Sequence, residues 1–238
     1  MGNVEKTMKK LFACFLLFAG FSSFAFAAQH TEKELTDFIL SSLPSIEGWC
    51  SREKAINFVD LVLEVKPEIC VEIGVFGGSS LFPVASTLKF LEQGFIIAID
   101  PWDKTENQRH LTEFEDRGHV LWWSKINFEE IHASYKRMLK IYQLEDYCVT
   151  LRMTSEKAVP WIWNIDILYI DGAHSEEAIK KDVVLYLPKV REGGYIWLND
   201  TLWEQSQPAI ELLLQECNVV KLIDNGNCIL FQKAKRSL

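Results

Sequence analysis

Five short runs in this chain are apolar throughout rather than alternating, and most of them end in an acid. They are "EICVEIGV" (68–75), "GFIIAIDPW" (94–102), "CVTLRM" (148–153), "IDILYIDG" (165–172) and "GYIWLND" (194–200). A strand can be apolar on both faces only where both faces of its sheet are covered, which is the signature of a parallel sheet inside an α/β fold. Helical periodicity fills the intervals. "SLFPVASTLKFLEQ", "FEEIHASYKRMLKIYQL", "SEEAIKKDVVLYL" and "PAIELLLQEC" each place apolar residues three or four apart. Phe128, Ile131, Tyr135, Met138, Leu139 and Tyr142 share one face of the second of these. Strands alternating with helices imply right-handed βαβ units and a mainly parallel sheet. "NVVKLID" and "CILFQKA" flank "NGN" and read as a closing hairpin that adds an antiparallel edge strand.

Two further helices precede the first strand. "TEKELTDFILSSL" carries Thr31 and Glu34 at capping-box spacing, and "SREKAINFVDLVLEV" stops near Pro67. Ahead of them, Met8, Lys9 and Lys10 lead into an apolar run ending in Ala25, Ala27 and Ala28, the anatomy of a secretory signal peptide cut before Ala28. An uncleaved anchor is the alternative. The expected organisation is therefore a signal peptide over 1–27, helices over 28–66 and an α/β domain over 67–238. The body would be exported, periplasmic or secreted. Cys50, Cys70, Cys148, Cys217 and Cys228 follow the leader without a CxxC or Cys/His cluster, which argues against zinc. Their odd number leaves at least one free thiol.

The formal net charge of −8 and the absence of a Lys/Arg stripe give no general attraction for nucleic acid. Beyond the leader nothing points to a membrane. A small-molecule substrate is the expected partner, and a homo-oligomer is left open.

Candidate chemistry falls at the strand ends, where open α/β sheets bind ligands. Glu72, Gly74, Gly77, Gly78 and Ser79 lie in "VEIGVFGGSS", a strand–turn–helix whose glycines let backbone approach a ligand. Asp100, at the tip of the second strand, is placed to hold two ribose hydroxyls. Position 76 is Phe where a dinucleotide fingerprint needs its second glycine, so a nicotinamide oxidoreductase is disfavoured. Glu72 beside the turn suits a cationic amino group better than a pyrophosphate. A nucleoside with ammonium and sulfonium groups but no phosphate, S-adenosylmethionine, fits those demands. Trp102, Trp122, Trp123, Trp161 and Trp163 are candidate walls for an acceptor pocket, with core packing as the alternative for each.

"VEIGVFGGSS", "AIDPW" and "IDILYIDGAHSEEAIKKDVVLYLPKVREGGYIWLND" together resemble the class I S-adenosylmethionine-dependent methyltransferases, in the small-molecule branch typified by macrocin O-methyltransferase and cephalosporin-hydroxylase-like proteins. The resemblance implies a Rossmann-like, doubly wound, seven-stranded, mainly parallel sheet with a reversed C-terminal hairpin. By position it implies that Glu72, Gly74 and Gly78 hold the methionine part, with Gly77 and Ser79 in the same turn. Asp100 would hold the ribose, and Ser155 would lie near the adenine. Members often hold Mg²⁺ with acids at the fourth and fifth strand ends, which Asp171, Asn199 and Asp200 match. The order "ND" departs from the Asp-Asn of catechol-type enzymes. His174, three residues past Asp171, is the candidate base. The expected reaction is metal-assisted O-methylation of a small hydroxylated molecule. Because the leader exports the domain away from the cytosol, the alternative is an exported, non-catalytic ligand-binding protein on the same fold.

Overall fold

The structure is a computed structural model and describes residues 31–108 and 117–235; the leader lies outside the described residues. The chain divides into residues 1–31 and a compact unit Glu32–Leu238, which is the unit considered below.

In chain order the elements are α1 (Glu32–Ser42), α2 (Arg52–Val65), β1 (Ile69–Ile73), α3 (Leu81–Leu91), β2 (Phe95–Ile99), α4 (Lys104–Gln108), α5 (Arg117–Lys125), α6 (Phe128–Tyr142), β3 (Cys148–Leu151), α7 (Ser155–Ala158), β4 (Ile165–Ile170), α8 (Glu176–Tyr186), β5 (Val190–Asn199), α9 (Gln207–Glu216), β6 (Cys217–Ile223) and β7 (Cys228–Lys233). Their ends follow local chemistry. Ser51 caps α2 by accepting from the Lys54 amide, and Lys66 closes it in the left-handed conformation before Pro67. Asn127 caps α6 and Ser175 caps α8 in the same way. Pro83 sits at the third position of α3, where its missing N–H costs nothing. The long polar stretch after β2 contributes α4 and α5, so its described residues are largely helical.

The described strands form one seven-stranded sheet in the order β3-β2-β1-β4-β5-β7-β6. Pairing is parallel from β3 through β5, and β7 runs antiparallel to both β5 and β6. The expected hairpin is present, and one of its arms is the antiparallel edge strand. β7 slots between β5 and β6, and β6 forms the edge.

Alternate residues of each strand feed two cores. Cys70, Ala98, Ile167, Tyr169 and Trp197 pack under α1, α2, α3 and α6, with Phe58 stacked on Trp197 at 4.0 Å. Val71, Ile73, Ile97, Leu168 and Ile196 pack against α7, α8 and α9. Both faces are covered, as uniformly apolar strands demand. No helix among the described residues is long and apolar enough to cross a membrane.

Candidate functional site

The carboxyl ends of β1, β2, β4 and β5 meet at one rim, above the point where strand order reverses between β1 and β4. A cavity of about 260 Å³ opens there, lined by Gly74, Phe76, Ser79, Asp100, Trp123, Ser155, Asp171, His174 and Asp182 among others.

The glycine turn is held from below. Gly74 takes φ +85°, and a Cβ there would lie 2.0 Å from the Asp171 carbonyl oxygen, so this glycine permits β1 and β4 to close on each other. Gly77 and Gly78 do not line the cavity. A Cβ on Gly77 would meet the Glu47 backbone at 2.4 Å, and one on Gly78 would meet Met138 at 2.6 Å. Their smallness serves packing inside the protein, not approach of a ligand. Glu72 also departs from expectation. It is fully buried beneath the turn, outside the cavity wall, and accepts from Ser80 Oγ at 2.5 Å. Its second oxygen has no hydrogen-bond partner, and burial pushes its carboxyl well above the usual range. It is an internal brace for the start of α3 rather than a contact for an ammonium group.

Asp100 lines the cavity but already serves the backbone. One oxygen accepts from the Val75 and Phe76 amides at 3.0 and 2.9 Å, the other from Trp102 at 2.7 Å. Burial raises its pKa against the pull of those three amides. A carboxylate offers about four acceptor positions, so one remains for a ligand hydroxyl. The same amides let Phe76 hold φ +49°, a conformation that costs a residue with a side chain of order 1 kcal/mol or more. Trp102 Nε1 donates to the Phe76 carbonyl at 2.8 Å. Trp102 is thus buried core. Of the other candidate tryptophans only Trp123 lines the cavity, and Trp161 and Trp163 lie outside it. Trp49, not foreseen, joins Phe76, Trp122 and Trp123 in a cluster at the cavity mouth with ring centroids 4.9 to 6.5 Å apart.

At the β3 side, Ser155 heads α7 and donates to Asp182 Oδ1 at 2.5 Å. Asp182 is buried, and burial outweighs that hydrogen bond to push its carboxyl to about 7.

At the β4–β5 side the acids converge. Asp171 accepts from Tyr169 Oη at 2.6 Å and from Asn199 Nδ2 at 2.8 Å. Asp200, in a left-handed conformation at φ +54°, lies 3.1 Å from His174 Nε2 and accepts from Asn227 at 3.2 Å. The His174 ring also packs against Trp203 at 4.9 Å. Burial and the neighbouring Asp200 raise the Asp171 carboxyl. Burial acts the same way on Asp200, but His174, Asn227 and Lys54 outweigh it and hold that carboxyl low. Donor atoms of Asp171, His174 and Asp200 lie within 4.8 Å of one another, the spacing of a cation site. Asn199 is displaced from its expected role. Its oxygen accepts from Lys54 Nζ at 3.1 Å and Cys228 Sγ at 2.8 Å, which occupies both lone pairs and turns the amide N–H₂ toward Asp171. It positions Asp171 and has no oxygen to offer a cation.

Lys54 and Asp182 went unread in the sequence. Both carried a signal, because each sits on the apolar face of its helix. Lys54 shares α2's buried stripe with Phe58 and Leu61, and Asp182 shares α8's with Ile179, Val183 and Tyr186.

The sheet order and the cavity at the strand ends are those of the class I S-adenosylmethionine-dependent methyltransferase fold. Residues 71–201, more than half of the chain, match the family described as a methyltransferase domain, and the chain belongs to that family. It is similar to the solved structure of the O-methyltransferase NovP, at 18% identity and TM-score 0.62 over 78% of this chain and 81% of that one. It is also similar to the O-methyltransferase TomG of Streptomyces achromogenes, solved with S-adenosylmethionine, at 14% identity and TM-score 0.58 over 94% and 95%. An uncharacterised protein of Acanthamoeba polyphaga mimivirus, R132, is 28% identical over 155 residues, 63% of this chain. The chain spans 61% of the length of that relative.

Proposed function

We propose that this chain is an S-adenosylmethionine-dependent methyltransferase that methylates a hydroxyl of a small molecule with the help of a divalent cation. One observation carries the reading. A single cavity is lined both by the turn braced by Asp100 and by Asp171 and His174, with Asp200 paired to His174 behind it, so a nucleoside and an acceptor would meet inside it. The O-methyltransferase structures similar in fold support the same reaction class.

S-adenosylmethionine supplies a methyl group activated by its sulfonium, and a cation such as Mg²⁺ supplies a Lewis acid that lowers the pKa of a hydroxyl. The donor set fits such a cation, since Asp171 and Asp200 offer hard oxygen atoms from two different strand ends. Gly74, Ser79 and Ser155 bind along the cavity, and Asp100 spends its remaining acceptor position on a ribose hydroxyl. His174 takes the acceptor's proton on its imidazole, and the Asp200 carboxylate beside Nε2 stabilises the charge the ring then carries. Phe76 and Trp123 exclude water from the cavity wall.

Calorimetry on the mature protein tests the core of this. S-adenosylhomocysteine should bind with micromolar affinity, and absence of heat would refute the methyltransferase reading. Methyl transfer to a component of a metabolite extract, followed by mass shift, should be lost in EDTA and in Asp171→Asn. Survival of transfer in both would remove the cation but not the transfer. Export remains part of the proposal on the sequence of residues 8–27, and a purified product that begins at Met1 would end it. No feature of the cavity favours a non-catalytic binder.

A further inference from the structure

Lys54 is the one buried lysine or arginine among the described residues, at 4% exposure. It stands in the first turn of α2, outside the sheet, and reaches beneath the rim. Its Nζ lies 3.1 Å from Asn199 Oδ1, and Asn199 Nδ2 lies 2.8 Å from Asp171 Oδ1. One neutral amide thus separates an ammonium group from a carboxylate of the cation site. A charge removed from water this far is tolerated only near opposite charge. Asp171 and Asp200 supply it, and they hold the lysine protonated against its own burial.

We propose that Lys54 is the resident counter-cation of the Asp171–Asp200 pair and sets how tightly that pair takes a divalent ion. The inference rests on reading those two acids as a cation site. With the ammonium in place, two carboxylates face one built-in positive charge as well as His174, so an incoming divalent ion is both less needed and repelled. Lys54 also holds the Asn199 amide so that its N–H₂ faces Asp171. The first effect is charge and the second is hydrogen bonding, and a substitution can separate them. Glutamine keeps an N–H donor for Asn199 Oδ1 and loses the charge. Methionine loses both.

The test is a Mn²⁺ titration at fixed ionic strength, with free ion followed by electron paramagnetic resonance and folding checked by near-ultraviolet circular dichroism. Lys54→Gln should bind Mn²⁺ at least about tenfold more tightly than the wild type, because a like charge is removed from within several ångströms at low dielectric. Asp171→Asn added to Lys54→Gln should abolish the gain. Should Lys54→Gln not fold, Lys54→Met reads the charge and the hydrogen bond together, and tighter Mn²⁺ binding by it still supports the inference while equal or weaker binding overturns it. Equal or weaker binding by the folded variant overturns the inference and leaves the cation reading of the wild type standing. A variant that binds where the wild type does not supports Lys54 as the resident cation, and overturns metal assistance in the native chain. Binding by neither overturns both. S-adenosylhomocysteine affinity, measured alongside, judges the methyltransferase reading independently.

Discussion

Asp182 is an acid whose position contradicts its sequence neighbourhood. In "KKDVVLYL" it follows two lysines, yet α8 turns it inward between Ser155 and the cavity. Burial raises its carboxyl from 3.8 to about 7. Between those two values the folded chain binds a proton there that the unfolded chain does not, so this group favours folding at low pH and that benefit is lost as pH rises. Asp182→Asn should therefore flatten the stability profile. Urea titrations at pH 4.5 and 7.5 should show the variant gaining relative to the wild type at the higher pH, and an unchanged difference would refute the assignment. Lys54 escaped notice for the same reason. A charged residue among charged neighbours looks exposed until helical spacing is laid against burial. By contrast Asp100, Asp171, His174 and Ser155 were legible as lining of the rim, because strand ends announce themselves in the sequence and loops after them face one rim. Glu72 and Asn199 were legible in place but not in role, since hydrogen-bond partners distant in the chain decide what a polar side chain faces.

At the scale of elements, nearly every strand and helix could be read from periodicity, while which arm of the closing hairpin lies at the edge could not. β7 inserts beside β5 rather than at the edge, a choice set by tertiary pairing that a hairpin signal does not encode. The strand-to-helix turn between β1 and α3 gives a test of what its glycines are for. Gly74 abuts the backbone of Asp171, whereas Gly78 abuts the flexible end of Met138. Both sit at positive φ, so alanine is strained at either. Gly74→Ala must also push two strands apart, which Met138 can avoid at Gly78 by changing rotamer. Thermal melts should rank Gly74→Ala well below Gly78→Ala, with the latter costing about 1–3 kcal/mol. Equal losses would mean that the β1–β4 contact is not what Gly74 protects.

At the scale of the whole molecule, the five cysteines among the described residues go beyond the one free thiol that their odd number required. Cys50, Cys70, Cys148, Cys217 and Cys228 are all unpaired thiols, and four of them are buried. Burial lifts Cys50, Cys148 and Cys228 to about 12 and Cys217 to about 11, so the reactive thiolate is scarce at neutral pH. The protein at pH 8 should react with a disulfide reagent such as Ellman's only after unfolding in guanidinium, and a reductant should leave its melting temperature unchanged. Rapid labelling of several thiols in the native state would contradict the burial.

The insertion of β7 between β5 and β6 ties the rim to the far end of the described chain. Asn227 and Cys228, at the start of that strand, touch Asp200 and Asn199 directly. Without them β5 has one bare flank, and Asn199 and Asp200 at its tip lack these partners. Completion of the rim therefore depends on the last strand of the sheet in chain order.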